Sequence, residues 1–197
     1  MANVDRPNGF TPVGTINGGP WTGKVRQYVT DGGEALFKGD AVAIDADGKV
    51  RPANAAEDVL GVMVGVIPTG GLQSGDFLTT GNLGAEEHPG YAPAGSSTAV
   101  LVAVGPDIIY AVQDDASGSA AADEFADLNL NMELTPTTGS TTTGRSAHEL
   151  SRTSKNTVTA QFRVIGYDSA PDNDATADNA VYHVIINEHT LNEGAGS

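Results

Sequence analysis

Apolar and polar positions alternate in short runs along most of this chain, and Gly, Pro, Asn and Asp interrupt them. Runs of this kind predict β-strands joined by turns. The clearest block is 37–66. There Val42 and Ile44 alternate with Ala41 and Ala43, and Gly39-Asp40 opens the run. Asp45-Ala46-Asp47-Gly48 supplies turn chemistry, because Asp bonds nearby amides and Gly takes positive φ without steric cost. Lys49-Val50-Arg51 begins the return. Leu60 to Val66 is apolar almost throughout, short enough for a buried strand.

The same pattern extends either way. Lys24 to Thr30 puts Val25, Gln27 and Val29 on one face and Lys24, Arg26 and Tyr28 on the other, as in a strand with one wet face. Asp76 to Thr80 is a short strand. Thr98 to Val104 turns at Gly105-Pro106-Asp107 onto Ile108 to Gln113, which predicts a hairpin. Leu128, Leu130, Met132 and Leu134 alternate with Asn129, Asn131 and Glu133, a strict period of two. Near the end, Val158 to Tyr167 places Phe162, Val164 and Gly166 on one face and Gln161, Arg163, Ile165 and Tyr167 on the other. Ala180 to Asn187 closes the series. Residues 147–150 read as a helical turn or a short strand, and 120–126 as a turn of helix. About ten short strands without a long helix predict an all-β fold, a β-barrel or β-sandwich with long loops.

Residues 1–23 break this rhythm. Pro7-Asn8-Gly9, Pro12 and Asn17-Gly18-Gly19-Pro20 recur too often for a helix or long strand, which predicts an extended arm. Phe10, Val13, Ile16 and Trp21 are spaced along it as anchors. They fit a strap across the chain's own body or a contact with a neighbouring subunit or partner surface. The expected organisation is therefore an arm at 1–23, a main β body at 24–134, and a Thr/Gly-rich loop with C-terminal strands at 135–197 packing on the same body.

Composition narrows the function classes. Of 197 residues 25 are Gly and 6% are aromatic, so the core must rest on Val, Ile, Leu and Ala, and partner subunits would add stability. The absence of Cys removes disulfides, thiol nucleophiles and Cys-ligated zinc. A formal net charge of −15 repels phosphate backbones, so no nucleic-acid partner is expected. No run approaches a membrane span, and the N-terminal residues lack the apolar stretch of a secretory signal.

Candidate chemistry thins out on inspection. Gly18-Gly19-Pro20-Trp21-Thr22-Gly23-Lys24 has phosphate-loop spacing, but Val25 stands where the magnesium-binding hydroxyl belongs and Pro20 lacks an amide. Asp45-x-Asp47-Gly48 has part of a calcium loop, with Ala43 and Asn54 at positions that need ligands. Asp172, Asp174 and Asp178 form a denser acidic group without a complete register. His88, His148, His183 and His189 are too scattered for a zinc motif. Glu86-Glu87 and Asp114-Asp115 are adjacent carboxylates that point apart on a strand. No catalytic, cofactor or metal site is assigned, and no enzyme activity is expected.

Several runs taken together resemble the capsid decoration, or cement, proteins of tailed bacteriophages. They are Met1-Ala2-Asn3-Val4-Asp5 with Pro7-Asn8-Gly9-Phe10 and Pro12-Val13-Gly14, then Gly39-Asp40-Ala41-Val42, the Asp47-Gly48 turn and Leu60-Gly61-Val62. Gly139-Ser140-Thr141-Thr142-Thr143-Gly144-Arg145-Ser146-Ala147, Val164-Ile165-Gly166, Pro171-Asp172-Asn173 and Asn187-Glu188-His189 continue the likeness in order. The resemblance implies a structural virion protein on the outer capsid surface, with the major capsid protein as partner and self-association as a homotrimer. It carries no catalytic residues. Two other classes remain beside it. One is a glycan-binding β module, for which Tyr91 is the candidate platform. The other is a hydrolase whose carboxylates meet only in the fold.

Overall fold

The computed structural model describes residues 3–67, 90–117, 126–156 and 158–191. The strands are β1 (Thr11–Thr15), β2 (Val25–Val29), β3 (Ala41–Ile44), β4 (Val50–Pro52), β5 (Gly61–Val66), β6 (Ala99–Ala103), β7 (Ile108–Gln113), β8 (Asn131–Met132), β9 (Leu134–Thr135), β10 (Glu149–Leu150), β11 (Phe162–Tyr167) and β12 (Val181–Ile186). Short 3-10 turns at Trp21–Lys24 and Arg152–Ser154 are the only helical elements among the described residues. The fold is all-β. Two antiparallel five-stranded sheets pack together, ordered β1-β7-β12-β11-β8 and β2-β6-β5-β3-β4, with β9 and β10 paired separately.

The second sheet curls until its edges meet. Thr30, directly after β2, forms a parallel bridge with Val50 at the start of β4, and Asp31 N–H donates to the Val50 carbonyl at 3.0 Å. The result is a small barrel. Alternation then sorts side chains into two cores. Val42, Val50, Met63, Val100 and Val102 fill the barrel with Leu36 and Leu60, all buried. Ala41, Ala43, Val62 and Ala103 point outward from the barrel and meet the first sheet.

Small residues on the barrel wall make room for large ones opposite. The first sheet contributes Tyr110, Val112, Phe162, Val164, Tyr182 and Val184 to the shared layer. Phe10 stacks on Phe162 at 4.4 Å between ring centroids and meets Tyr110 edge-on at 6.4 Å. Burying a side chain of this size stabilises by roughly 1.5–3 kcal/mol, and an aromatic pair adds about 0.5–1.5 kcal/mol. Within the barrel, β5 approaches β6 so closely that a Cβ at Gly61 would stand 2.2 Å from the Ala103 carbonyl oxygen. Only glycine fits there.

Four local expectations change. The pair β6 and β7 is not a hairpin: β6 lies between β2 and β5, and β7 between β1 and β12. The turn at 105–107 carries the chain from one sheet to the other, a role for which turn chemistry looks the same. The strand expected over Leu128 to Leu134 starts only after a turn ending at Asn129 (φ 66°) and is interrupted at Glu133, so β8 and β9 have different partners. A bulge between Val164 and Gly166 moves Tyr167 to the core side, where it packs on Tyr182. Tyr28, placed on the wet face by alternation, packs against the barrel core, and Val29 is exposed.

The N-terminal stretch is also less of an arm than its Pro and Gly content suggests. Thr11–Thr15 is the edge strand of the first sheet. The sheets do not divide at residue 134 either, because β11 and β12 complete the sheet that β1 and β7 begin. Within residues 147–150, Glu149–Leu150 forms the short strand β10. The strand expected at Asp76 to Thr80 lies outside the described residues, as does all but the last residue of the expected turn at 120–126.

Candidate functional site

The four anchor residues of the N-terminal stretch separate into three environments. Phe10 is 1% exposed and belongs to the shared core, so its ring is not available to a partner. Its position is fixed by Phe10 N–H donating to Gly39 O at 2.8 Å. The neighbouring Gly9 has φ +66°, and a Cβ there would collide with Ser146. Trp21 is partly buried and packs on the edge of that core. Val13 and Ile16 face solvent, with 49% and 56% of their surface exposed.

Local geometry explains the exposure. Pro12 pairs with Tyr110 and Gly14 with Ile109, which leaves Val13 as the extra residue of a bulge. Bulges turn a side chain out of the regular alternation. Ile16 follows the strand, its N–H donating to Asp107 O at 3.0 Å, and a turn closed by Gly18 N–H to Thr15 O at 2.9 Å comes next. Pro12 on the edge strand removes a donor that could pair with another chain. Val13 and Ile16 thus lie three residues apart on the rim of the first sheet.

The start of the chain is tied down elsewhere. Asn3 Nδ2 donates to the carbonyls of Asp174 and Asp178 at 2.9 and 3.0 Å, and Asp174 N–H returns a bond to Asn3 Oδ1 at 2.7 Å. Gln113 holds the next residues through Val4 O and Arg6 N–H. Acidic loop 168–179 therefore serves as a clamp. Its carboxylates disperse: Asp174 Oδ1 takes the Thr176 amide and hydroxyl, while Asp178 turns to Arg152. Among the described residues no group of three or more His, Asp or Glu could hold a metal ion.

Arg152 is the strongest buried polar anchor. It is 2% exposed, and Asp114 beside it is fully buried. Arg152 Nη2 donates to Asp114 Oδ1 at 2.8 Å and Nε to Oδ2 at 3.2 Å, a bidentate pair. Nη1 reaches Asp178 at 2.6 Å. The amides of Ala116 and Asn179 add bonds to Asp114 Oδ1 at 2.9 and 3.1 Å. A second centre gathers on Asp127 Oδ2, which accepts from Lys155 Nζ at 2.7 Å and the hydroxyls of Tyr167 and Tyr182 at 3.1 and 3.0 Å.

The motifs singled out in the sequence resolve into structure. Trp21–Lys24 is a single 3-10 turn leading into a strand, and Lys24 pairs with Asp107, whose carboxyl it holds below the ordinary range. Asp45 to Lys49 is a hairpin turn: Gly48 N–H donates to Asp45 O at 2.9 Å and Lys49 N–H to Asp47 Oδ1 at 3.1 Å. Asp45 Oδ1 accepts from Arg51. Asp115 is held low by the Ser117, Arg152 and Thr135 donors that outweigh its burial. Burial, with Asp5, Asp115 and Asp114 nearby, pushes Glu149 to about 7. Such divergence can mark an acid–base pair, but both Asp115 oxygens are already engaged within the fold.

The histidines are dispersed. His189 is buried, with Nδ1 accepting from Leu191 N–H at 3.0 Å and Nε2 on the Val104 carbonyl at 3.1 Å. That pattern fixes it as neutral, and burial lowers its pKa. His183 lies on β12 opposite Ala111, and His148 is buried beside Asp40. Neither His88 nor Glu86-Glu87 is among the described residues. Tyr91 stacks on Phe37 at 4.9 Å, so one ring face is already covered. The buried pair of Asp40 and His148 went unread in the sequence. Its one signal is an Asp set inside the apolar run Phe37 to Ile44.

No protein-family model matches the chain, and searches of curated proteins and of solved structures also give no match.

Proposed function

We propose that this chain is a structural virion protein that binds the outer surface of a tailed-phage capsid and stabilises the shell. The observation that carries the reading is the pair Val13 and Ile16, exposed on the rim of a tightly anchored strand. Exposed apolar side chains on a fixed edge suit docking, because little ordering entropy remains to be lost on binding. The ordered run of sequence likenesses from the N-terminal stretch to Asn187-Glu188-His189 supports the same role. Its partner is the major capsid protein, and the chain associates with itself as a homotrimer. Repetition on a lattice then replaces high affinity at any one contact. Tyr91, with one face on Phe37, offers a poorer glycan platform, so the shell-binding reading is preferred.

Occupancy on purified shells tests this. Val13→Asp with Ile16→Asp, both at exposed positions, is expected to leave the unfolding midpoint close to wild type and to reduce occupancy sharply. Unchanged occupancy in a folded double variant would remove Val13 and Ile16 from the interface. Failure of the wild-type chain to bind any tailed-phage shell would end the proposal.

A further inference from the structure

Asp40 lies in the lining of a cleft of about 370 Å³, where four segments of the chain converge. The side chain is 2% exposed. Its Oδ2 accepts from Phe37 N–H at 2.7 Å, whereas Oδ1 has no partner in hydrogen-bonding geometry among the described residues. His148 Nε2 stands 3.6 Å from that oxygen, beyond a hydrogen bond. A buried carboxylate oxygen left unmatched at a cleft wall is costly unless something donates to it.

The surroundings restrict what that donor can be. Ala35, Phe37, Pro52, Ala53 and Pro136 give the cleft apolar walls, and Glu34, Asn54, Thr137 and Thr138 line the rest. Among the described residues no Lys or Arg lines it. A divalent metal is disfavoured by the histidine. Ala41 N–H donates to His148 Nδ1 at 3.2 Å, which puts the ring proton on Nε2 and leaves that nitrogen no lone pair for a metal. A guanidinium is also poorly matched. Its fork wants both carboxylate oxygens, and the Phe37 amide already holds Oδ2. An ammonium needs one oxygen, carries its charge at a point, and brings a methylene stem that can lie against apolar walls.

We propose that this cleft binds a primary alkylammonium group, which reaches Asp40 Oδ1 once the carboxylate, sealed from solvent in this structure, turns slightly toward the cleft, with the carbon stem along Phe37 and Pro52. The group could be a lysine side chain of a docked protein or a free amine. The site stands on its own geometry, whether or not the chain coats a shell. Two carboxylates take part, Asp40 and the exposed Glu34; His148 is the other titratable group lining the cleft. Burial raises Asp40 to about 7 against the pull of Ser146 and the Phe37 amide. Binding of a cation therefore tightens as pH rises through about 7 and the carboxylate ionises.

The experiment is an NMR titration of the isotope-labelled full chain with n-butylammonium, following the Ala41 amide and the His148 ring. Saturable shifts are expected with n-butylammonium, smaller ones with n-propylguanidinium, and none with n-butanol. Asp40→Asn should weaken binding roughly 10- to 100-fold, while dispersed spectra report its fold. Glu34→Gln, at an exposed position, should weaken it less. Parallel titrations with Nα-acetyl-lysine N-methylamide and with putrescine separate a protein side chain from a free amine, and saturation by either supports the site. Absence of saturable shifts at Ala41 and His148, equal response to n-butanol, or unchanged affinity in Asp40→Asn would overturn it.

Discussion

Asp114 and Asp40 are both buried aspartates on the margins of the same β body, yet their surroundings are opposite. Asp114 meets the fork of Arg152 and two backbone amides. Asp40 meets one amide, the Ser146 side chain and a neutral imidazole that stands too far away, and its Oδ1 stays unmatched. The first centre is closed on itself and holds loops 114–116, 151–154 and 178–179 in register. The second is incomplete, and incompleteness is where a binding function can reside. The difference teaches that burial of charge alone does not separate scaffold from site. What separates them is whether every lone pair has been answered.

The same comparison orders the tests. Arg152→Met should have the largest effect, a loss of about 3–5 kcal/mol in denaturant unfolding, because Asp114 is left charged and unpaired. Asp114→Asn and Asp40→Asn make the same chemical change with opposite expected signs. The first strips a buried guanidinium of its counter-charge and should destabilise by roughly 2–4 kcal/mol. The second should stabilise at mildly alkaline pH. Asp40 shifts from an ordinary 3.8 to about 7 on folding. Its proton is held more tightly in the native state, so stability from this group is complete below 3.8 and declines as pH rises to about 7. Asp40→Asn removes that decline, a gain reaching about 4 kcal/mol.

His148 sharpens the contrast. Burial lowers it from 6.5 to about 4, so its contribution is intact above 6.5 and lost as pH falls to about 4. Between about 4 and 6.5 the two groups work in opposite directions and nearly cancel. Asp40→Asn should expose the acid limb of His148 as a fall in the variant's own stability from pH 6.5 to about 4, while the difference from wild type, which isolates Asp40, shrinks steadily as pH falls. A difference curve independent of pH would break the comparison. Asp178→Ala should have the smallest effect, at most about 1 kcal/mol, because its carboxylate is 71% exposed and solvent screens the pair.

Much of the fold was legible because strand alternation is a local signal. Ala41-Val42-Ala43-Ile44 splits between the two cores as its period of two demands. Closure of the barrel was not legible. It depends on a bridge between Thr30, next to a turn, and Val50, and neither residue announces a partner twenty positions away. Turn chemistry at Gly105-Pro106-Asp107 could not reveal whether the next strand would pair with the last or cross to the other sheet. The candidate contacts were legible only as a group. Phe10 and Val13 lie three residues apart, and only the docking of this segment on the first sheet shows which of them faces the core. The Asp40 cleft needed the fold, since Asp40 and His148 are 108 positions apart in the chain.

The interleaving of the first sheet has a kinetic consequence. Every barrel strand lies between Val25 and Ala103, so the barrel can assemble while the chain is still being made. The sheet that covers its alanine wall cannot be completed until Ile186 has been synthesised. In the interval a nascent barrel presents an uncovered apolar face, and long-range strand pairings of this kind close slowly. The chain is therefore most prone to aggregation late in its synthesis, just before β12 slots between β7 and β11.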